Sequence, residues 1–251
     1  MTILLTIYLF LAGLVLGSFF NVVGLRLPRG ELFTRKRSYC PCCHHTLSWY
    51  ELIPVLSYMY QKARCRHCRH KISPLYPAME IFSGTAFAYS CWMFGFNPSL
   101  ILALLLISMF HIIVVTDLRY MMIPDKVLLF FTVLFIVYRI AAPTDPWWDS
   151  AAGALVGLLG TLVIIIVSRG GMGGGDMKLF AVLGLALGTS SLLLTFFFAS
   201  LLGTVGSIVL LLSKIISREK PIPFGPYIAA GGLITIFHGE FLINWYISSF
   251  F

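Results

Sequence analysis

The sequence predicts an all-α polytopic membrane protein, with about eight transmembrane helices and one small cysteine-rich loop after the first helix. Three observations lead to this fold class. The mean hydropathy is +0.90, and only 11% of the 251 residues are charged, against about 25% in an ordinary soluble domain. Apolar runs approach the roughly 20 residues that a helix needs to cross a bilayer, and they recur along the chain. Five of the six cysteines and ten of the 18 lysines and arginines fall in the polar segment behind the first run.

The first apolar run, Thr2 to Asn21, is predicted to be a retained transmembrane helix whose N-terminus lies outside the cell. No basic residue precedes it, and no Ala-x-Ala cleavage site follows it, so a secretory signal peptide is disfavoured. Seven further runs predict the remaining helices, the sixth of the eight being short: Ala78–Phe96, Leu100–Thr116, Val127–Ala142, Ala151–Ser168, Met177–Leu187, Leu192–Leu212 and Phe224–Ile247.

The distribution of basic residues tests whether this series of helices assigns each loop to the correct side of the membrane, because cytoplasmic loops of membrane proteins are enriched in lysine and arginine. With the N-terminus outside, Arg139 is the one basic residue assigned to the external side. The cytoplasmic side carries the cysteine-rich loop and a further set of basic residues: Arg119, Lys126, Arg169, Lys178, Lys214, Arg218 and Lys220. We therefore predict three regions, namely a first helix (1–25), a cytoplasmic cysteine-rich loop (26–76) and a seven-helix membrane domain (77–251).

The cysteine-rich loop contains two Cys-x-x-Cys pairs, Cys40 with Cys43 and Cys65 with Cys68, separated by 21 residues. Four thiolates at this spacing are typical of a tetrahedral, structural zinc site of the ribbon type. The two pairs also lie in similar surroundings, since Cys43–Ser48 matches Cys68–Ser73 at the cysteine, the second histidine, the aliphatic residue and the serine. The repeat predicts two matching knuckles that close on one metal ion.

Other interpretations of this loop remain open. Disulfides are disfavoured in a reducing cytoplasm, and a redox dithiol needs only one pair. Cys42 and Cys91 are predicted to be bystanders, and the histidines to lie outside the ligand set. The basic residues suit the anionic inner leaflet and the orientation rule, so we expect the lipid bilayer and not nucleic acid as a partner.

A glycine loop, here Arg169 to Lys178, joins two apolar runs and holds five glycines and Asp176. An ionisable group at a membrane boundary is costly and marks a candidate functional site. Gly173, Gly174 and Gly175 would let a substrate strand approach the backbone closely. The alternative is that Asp176 caps the helix that follows.

Asp117 ends the run Leu100–Thr116, and the predicted topology places it on the same face as Asp176. Two nearby carboxylates do not both ionise easily, which is the requirement of an aspartyl protease: one activates water and the other protonates or polarises the amide. Alternatively, Asp117 pairs with Arg119 or with an interfacial lysine. Asp125, after Pro124, is interpreted as an ordinary helix start. A proton-coupled transporter with a zinc-binding cap and a non-enzymatic assembly platform remain rival functions.

Taken in order, these motifs resemble the bacterial type IV prepilin peptidases, Gly-x-Gly-Asp membrane aspartyl proteases. The resemblance covers nearly the whole chain. Its matching segments are Gly17–Val23 with Arg26–Pro28, Cys40–Cys43, Trp49–Pro54, Cys65–Cys68, Ile72–Pro77 with Glu80, Asp117 with Ile123–Asp125, and Gly173–Leu179.

The resemblance implies a catalytic pair, Asp117 and Asp176, in an active-site loop with Gly173, Gly174, Gly175 and Lys178. It implies an enzyme of the bacterial inner membrane that cleaves the basic leader of type IV prepilins or pseudopilins at the cytoplasmic face. Many members then methylate the new N-terminus with S-adenosylmethionine, an activity tied to the cysteine-rich loop. Arg64 and Glu80 are the candidate residues for that step. Ala63 stands where the family commonly has glycine, which leaves a peptidase without methyltransferase activity as the alternative.

Overall fold

The computed structural model describes residues 2–32, 34, 37–169, 171–213 and 222–250. Gly170 of the glycine loop and the basic residues Lys214, Arg218 and Lys220 lie outside the described residues. Nine α-helices are described: α1 Thr2–Arg26, α2 Leu56–Tyr60, α3 Leu75–Phe94, α4 Pro98–Tyr120, α5 Asp125–Ala141, α6 Asp149–Val167, α7 Gly174–Leu187, α8 Thr189–Leu212 and α9 Gly225–Phe250.

All eight predicted helices are present, and the additional α2 lies in the cysteine-rich loop with a 3-10 turn, Trp49–Leu52. Within the described ranges, five helices, α1, α4, α6, α8 and α9, are long and apolar enough to cross a membrane. The other three predicted spans, α3, α5 and α7, are helical but do not belong to that group.

The chain forms two compact units, residues 1–115 and 116–251, and the division falls within α4. In the first unit, α1 and α3 pack closely, since a Cβ added at Gly13 would overlap the backbone at Ser83 and Gly84. A buried polar chain joins three helices: Ser83 Oγ lies 2.5 Å from His111 Nδ1, and His111 Nε2 lies 3.2 Å from Asn21 Oδ1. These contacts satisfy polar groups that would otherwise be costly to bury.

In the second unit, α6 packs closely against α7, because a Cβ added at Gly153 or Gly157 would overlap the α7 backbone. Such small residues allow close helix approach in membranes. Helices α5 and α7 are linked at both ends. Lys178 pairs with Asp125 near their N-termini, and the Arg139 guanidinium donates to the carbonyls of Ala142 and Ala186 near their C-termini.

These two links show that α5 and α7 run in the same direction, so the residues that begin each helix lie at the same end. They also give Arg139, the basic residue assigned to the external side, a local role. Its charge lies where two helices end, and cations are favourable at helix C-termini.

Candidate active site and metal centre

Asp117 lies three residues before the end of α4 and is 6% exposed. Its Oδ2 accepts a hydrogen bond of 2.7 Å from the backbone N–H of Gly225. The sequence analysis considered an ion pair with Arg119, but no such pair is found among the described residues. The partner is instead the first residue of α9, whose N–H has no acceptor within the helix and points at the carboxylate.

Asp176 is half-buried in the first turn of α7. Helix α7 begins at Gly174 and its N-cap is Gly173, so Asp176 does cap the helix, but from its third position and not as the N-cap residue. Its Oδ2 instead accepts the N–H of Gly173 at 3.2 Å, the reach-back half of a capping box. The carboxylate therefore supports the helix start while being held in one position.

The two carboxylates are close enough to interact electrostatically. Asp176 lies outside the five candidate spans. Burial raises its pKa to about 6, the Gly173 N–H opposes that rise, and the negative charge of Asp117 adds to it. A carboxyl group whose pKa is displaced toward neutrality beside a second carboxyl is the arrangement that acid–base chemistry requires.

The glycine loop leaves its backbone open at the start of α7, where Gly173 and Gly174 are both exposed. A Cβ added at Gly174 would meet nothing within 4 Å, whereas one at Gly175 would lie 3.1 Å from Ile123 Cβ. Lys178 does not contact Asp176. Its ammonium group donates to both carboxylate oxygens of Asp125 at 2.8 Å, an exposed pair that holds the starts of α5 and α7 together.

Gly225 is a site residue that the sequence analysis missed. A Cβ added there would lie 2.8 Å from Asp117 Oδ2 and 3.2 Å from both Cβ and Cγ of the same residue. The backbone of Gly225 is not in the left-handed region, so the position needs glycine for space and not for conformation. The sequence does contain a signal for this residue. The stretch Pro223-Phe224-Gly225-Pro226 places a glycine between two prolines at the start of the last apolar run.

The four cysteines predicted as ligands form one cluster, with their sulfur atoms all within 4.8 Å of one another. Cys40 Sγ and Cys68 Sγ are 3.7 Å apart, and Cys43 Sγ and Cys65 Sγ are 3.9 Å apart. Tetrahedral coordination with metal–sulfur bonds of about 2.3 Å places the sulfurs about 3.8 Å from one another. The thiols are free, and their spacing fits a single four-coordinate metal ion.

The predicted repeat is confirmed in the backbone, where each pairing recurs 25 residues later. Cys40 N–H donates to His45 O, as Cys65 N–H does to His70 O. Single antiparallel bridges join Tyr39 to Thr46 and Arg64 to Lys71. The residue after each second cysteine, His44 or Arg69, has a positive φ of 56° or 59°. Two matching knuckles thus present two sulfurs each.

The remaining cysteines and histidines lie outside this cluster. Cys42 is exposed, and Cys91 is buried in α3, where it accepts a hydrogen bond from Thr6. The rings of His45 and His67, one from each knuckle, lie 3.6 Å apart between centroids. No histidine belongs to the metal-competent group found in the described ranges.

Glu80 is buried, and it joins α3 to the cysteine-rich loop. Its Oε2 accepts the backbone N–H of Val55 at 2.8 Å, and Ser18 is a second partner. Val55 itself has a φ of 62°, rare for a β-branched residue. Arg64, by contrast, is exposed and lines an open cleft. The structure therefore does not bring the two candidate methyltransferase residues into one contact, and Glu80 is engaged by the protein.

Comparisons with known proteins match most of the chain to two domain families. Residues 11–94 match the Bacterial Peptidase A24 N-terminal domain, and residues 104–208 match the Type IV leader peptidase family. A prepilin leader peptidase/N-methyltransferase of Bacillus subtilis (strain 168) is 40% identical over 239 residues, covering 95% of this chain and 96% of the relative.

Proteins of the same description from Aeromonas salmonicida (strain A449) and Legionella pneumophila are each 32% identical. The first alignment covers 96% of this chain and 93% of the relative, and the second covers 94% and 92%. No solved structure matches the chain. The two matched domains, the aligned lengths and the identities together show that the chain belongs to the type IV leader peptidase family.

Proposed function

We propose that this protein is a membrane aspartyl endopeptidase that removes the leader of type IV prepilins or pseudopilins, with Asp117 and Asp176 as its catalytic pair. The observation that carries the proposal is the pair itself: a buried and a half-buried carboxylate, held by separate backbone N–H groups and close enough to interact. The names of the relatives supply the substrate class.

In the proposed reaction, the charged carboxylate of the pair takes a proton from a water molecule, which attacks the scissile carbonyl. The protonated carboxyl polarises that carbonyl and later gives its proton to the leaving amine. Because the two groups interact, their titrations belong to the pair and not to either residue alone. The exposed backbone at Gly173 and Gly174 is where an extended substrate strand would lie.

We place the pair at the cytoplasmic face of the bacterial inner membrane, with eight spanning helices and the N-terminus outside. The five long apolar helices support a membrane protein, and α3, α5 and the part of α7 from Met177 onward would complete the eight. Residues 1–25, 26–76 and 77–251 would be the first helix, the cysteine-rich loop and the peptidase domain. Asp117 near the end of α4 and Asp176 at the start of α7 suit this location better than a midplane proton relay.

We further propose that the four-cysteine cluster holds one structural zinc ion, which would join the two knuckles and supply no step of catalysis. Replacing Cys65 and Cys68 with serine is expected to reduce bound zinc from about one ion per chain to nearly none, because two of four ligands are lost. Elemental analysis of the purified protein measures this ratio. The matched control is Cys42→Ser, an exposed cysteine outside the cluster. Zinc at the wild-type level in the double variant would rule out the site.

The relatives' names also include an N-methyltransferase, and S-adenosylmethionine would be the methyl donor as a second substrate. We propose that Glu80, through its bond to Val55, positions the cysteine-rich loop for this step. Arg64, whose side chain is exposed, would contact a negatively charged group on one of the two substrates of this step.

The experiment is to incubate the purified chain in vesicles with a prepilin, with and without S-adenosylmethionine. Mass spectrometry of the pilin N-terminus should show the leader removed in both samples. With the donor present, the mass of one methyl group should be added. A cleaved but unmethylated product would support the peptidase activity and refute the methyltransferase activity. An intact leader would contradict the proposed function as a whole.

A further inference from the structure

The first observation concerns apolar exposure in the cysteine-rich loop. Between the two knuckles, residues 49–60, which include the 3-10 turn and α2, expose seven large apolar or aromatic side chains. Trp49 is 78% exposed, Met59 68% and Tyr60 82%. The other four are Tyr50, Leu52, Ile53 and Leu56. A surface of this kind marks an interaction site, and tryptophan and tyrosine favour the membrane–water interface.

The second observation is an open cleft that adjoins this apolar surface, since Tyr58 of α2 is one of the residues that line it. Three of its lining side chains, Lys62, Arg64 and Lys71, are basic and exposed, and the hydroxyl-bearing residues Tyr58 and Ser73 lie with them. Its remaining lining residues are Ala63, Ile72 and Pro74. None of the residues that line the cleft is acidic, so the cleft itself offers no opposite charge to the three cations.

The third observation is the direct opposition of two of these cations. Arg64 and Lys71 form the antiparallel bridge of the second knuckle, and like charges opposite one another are destabilising. The first knuckle forms the same bridge with Tyr39 and Thr46, which carry no charge. The knuckle fold therefore does not require the cations, and the chain itself contains the uncharged alternative.

The position of the cleft identifies the source of the anion. Pro74 lines the cleft, and α3, the next apolar helix, begins at Leu75. A phosphate group on a membrane lipid would meet the cations where the chain enters α3. The acyl region of the same lipids would receive the apolar side chains of residues 49–60. A soluble phosphate would satisfy the cations only and leave the apolar surface in water.

We propose that the cysteine-rich loop is a membrane-docking module in which Lys62, Arg64 and Lys71 bind the phosphate of an anionic lipid headgroup while residues 49–60 enter the interface. The proposal assumes that the chain lies in a membrane and does not depend on Asp117 and Asp176 being catalytic. Each basic side chain near an anionic surface strengthens binding severalfold, and the effect weakens with salt.

The test uses the full chain in detergent, titrated with phosphatidylglycerol or phosphatidylcholine, with bound lipids counted by native mass spectrometry. We expect the wild type to favour phosphatidylglycerol by at least about tenfold. The Arg64→Tyr/Lys71→Thr variant, which copies the first knuckle, should lose most of this preference while keeping its bound zinc. The control Arg37→Gln/Arg69→Gln removes the same charge from exposed positions outside the cleft and should keep the preference.

Hydrogen exchange in nanodiscs tests the apolar half of the proposal. Amides of residues 49–60 should exchange more slowly in discs containing phosphatidylglycerol than in discs of phosphatidylcholine alone. Three results would overturn the proposal: an unchanged lipid preference in the Arg64→Tyr/Lys71→Thr variant, full protection of these residues by inorganic phosphate in phosphatidylcholine discs, or protection that appears only when a prepilin is added. The second would indicate a soluble anion, and the third a protein partner.

Discussion

Replacing either carboxylate of the proposed pair, in Asp117→Asn or Asp176→Asn, is expected to lower the rate of prepilin cleavage by on the order of a thousandfold or more. An asparagine has nearly the same shape as an aspartate, so it can remain next to Gly225 or Gly173. It cannot accept a proton from water or donate one to the leaving amine. Because the pair acts as a unit, the double variant should be little worse than either single variant.

Cleavage should be measured with purified enzyme and a saturating prepilin concentration, so that a loss of binding is not mistaken for a loss of chemistry. Asp145→Asn is the control, since Asp145 is exposed in the connection between α5 and α6 and its replacement should leave the rate unchanged. Cleavage at the wild-type rate by either single variant would remove that residue from the catalytic pair. Rapid cleavage by the double variant would refute the aspartyl mechanism.

The helices could be predicted from the sequence because apolar runs of spanning length have few other folds available. Each predicted run is helical, including the short α7. The run boundaries were less accurate where polar residues continue a helix. Helix α4 ends at Tyr120 and not at Thr116, so Asp117 lies inside it. Helix α2 was missed because five residues between two knuckles leave no periodic pattern to detect.

The cysteine cluster could also be predicted, since the spacing of Cys40, Cys43, Cys65 and Cys68 and the repeat around them indicate both the four residues and the matching knuckles. The apolar surface of residues 49–60 could not be recognised in this way. Trp49 and Tyr60 have no helical or strand periodicity that would distinguish exposed from buried side chains. Only the fold shows that they point away from the protein.

Contacts between distant segments were the least predictable part of the candidate active site. The partner of Asp117 lies 108 residues further along the chain, and a single sequence contains no signal for that contact. The same is true of the pair between Lys178 and Asp125, which are separated by 53 residues. The two candidate carboxylates could be predicted from the sequence, whereas the backbone groups that bind them could be found only in the fold.

The substitution Gly225→Ala is expected to have a second large effect on prepilin cleavage. A methyl group added at Gly225 would enter the space occupied by Asp117 Oδ2, Cγ and Cβ. Asp117 is buried, so it cannot move aside without leaving the N–H that holds it. A displacement of about 1 Å in a reacting group can cost about a hundredfold in rate. Gly225→Ala is therefore expected to lower kcat for prepilin cleavage by roughly 10- to 100-fold.

The effect should fall on kcat and leave KM unchanged, because Gly225 positions a reacting group and does not bind the leader. Gly160→Ala is the matched control: Gly160 lies in α6, and a Cβ added there meets nothing within 4 Å. Both variants should remain folded and keep the wild-type zinc content, which separates misplacement of Asp117 from misfolding. Wild-type kcat in Gly225→Ala, alongside an inactive Asp117→Asn, would show that Asp117 is catalytic but does not depend on α9 for its position. If Asp117→Asn also cleaved normally, the catalytic assignment itself would be lost.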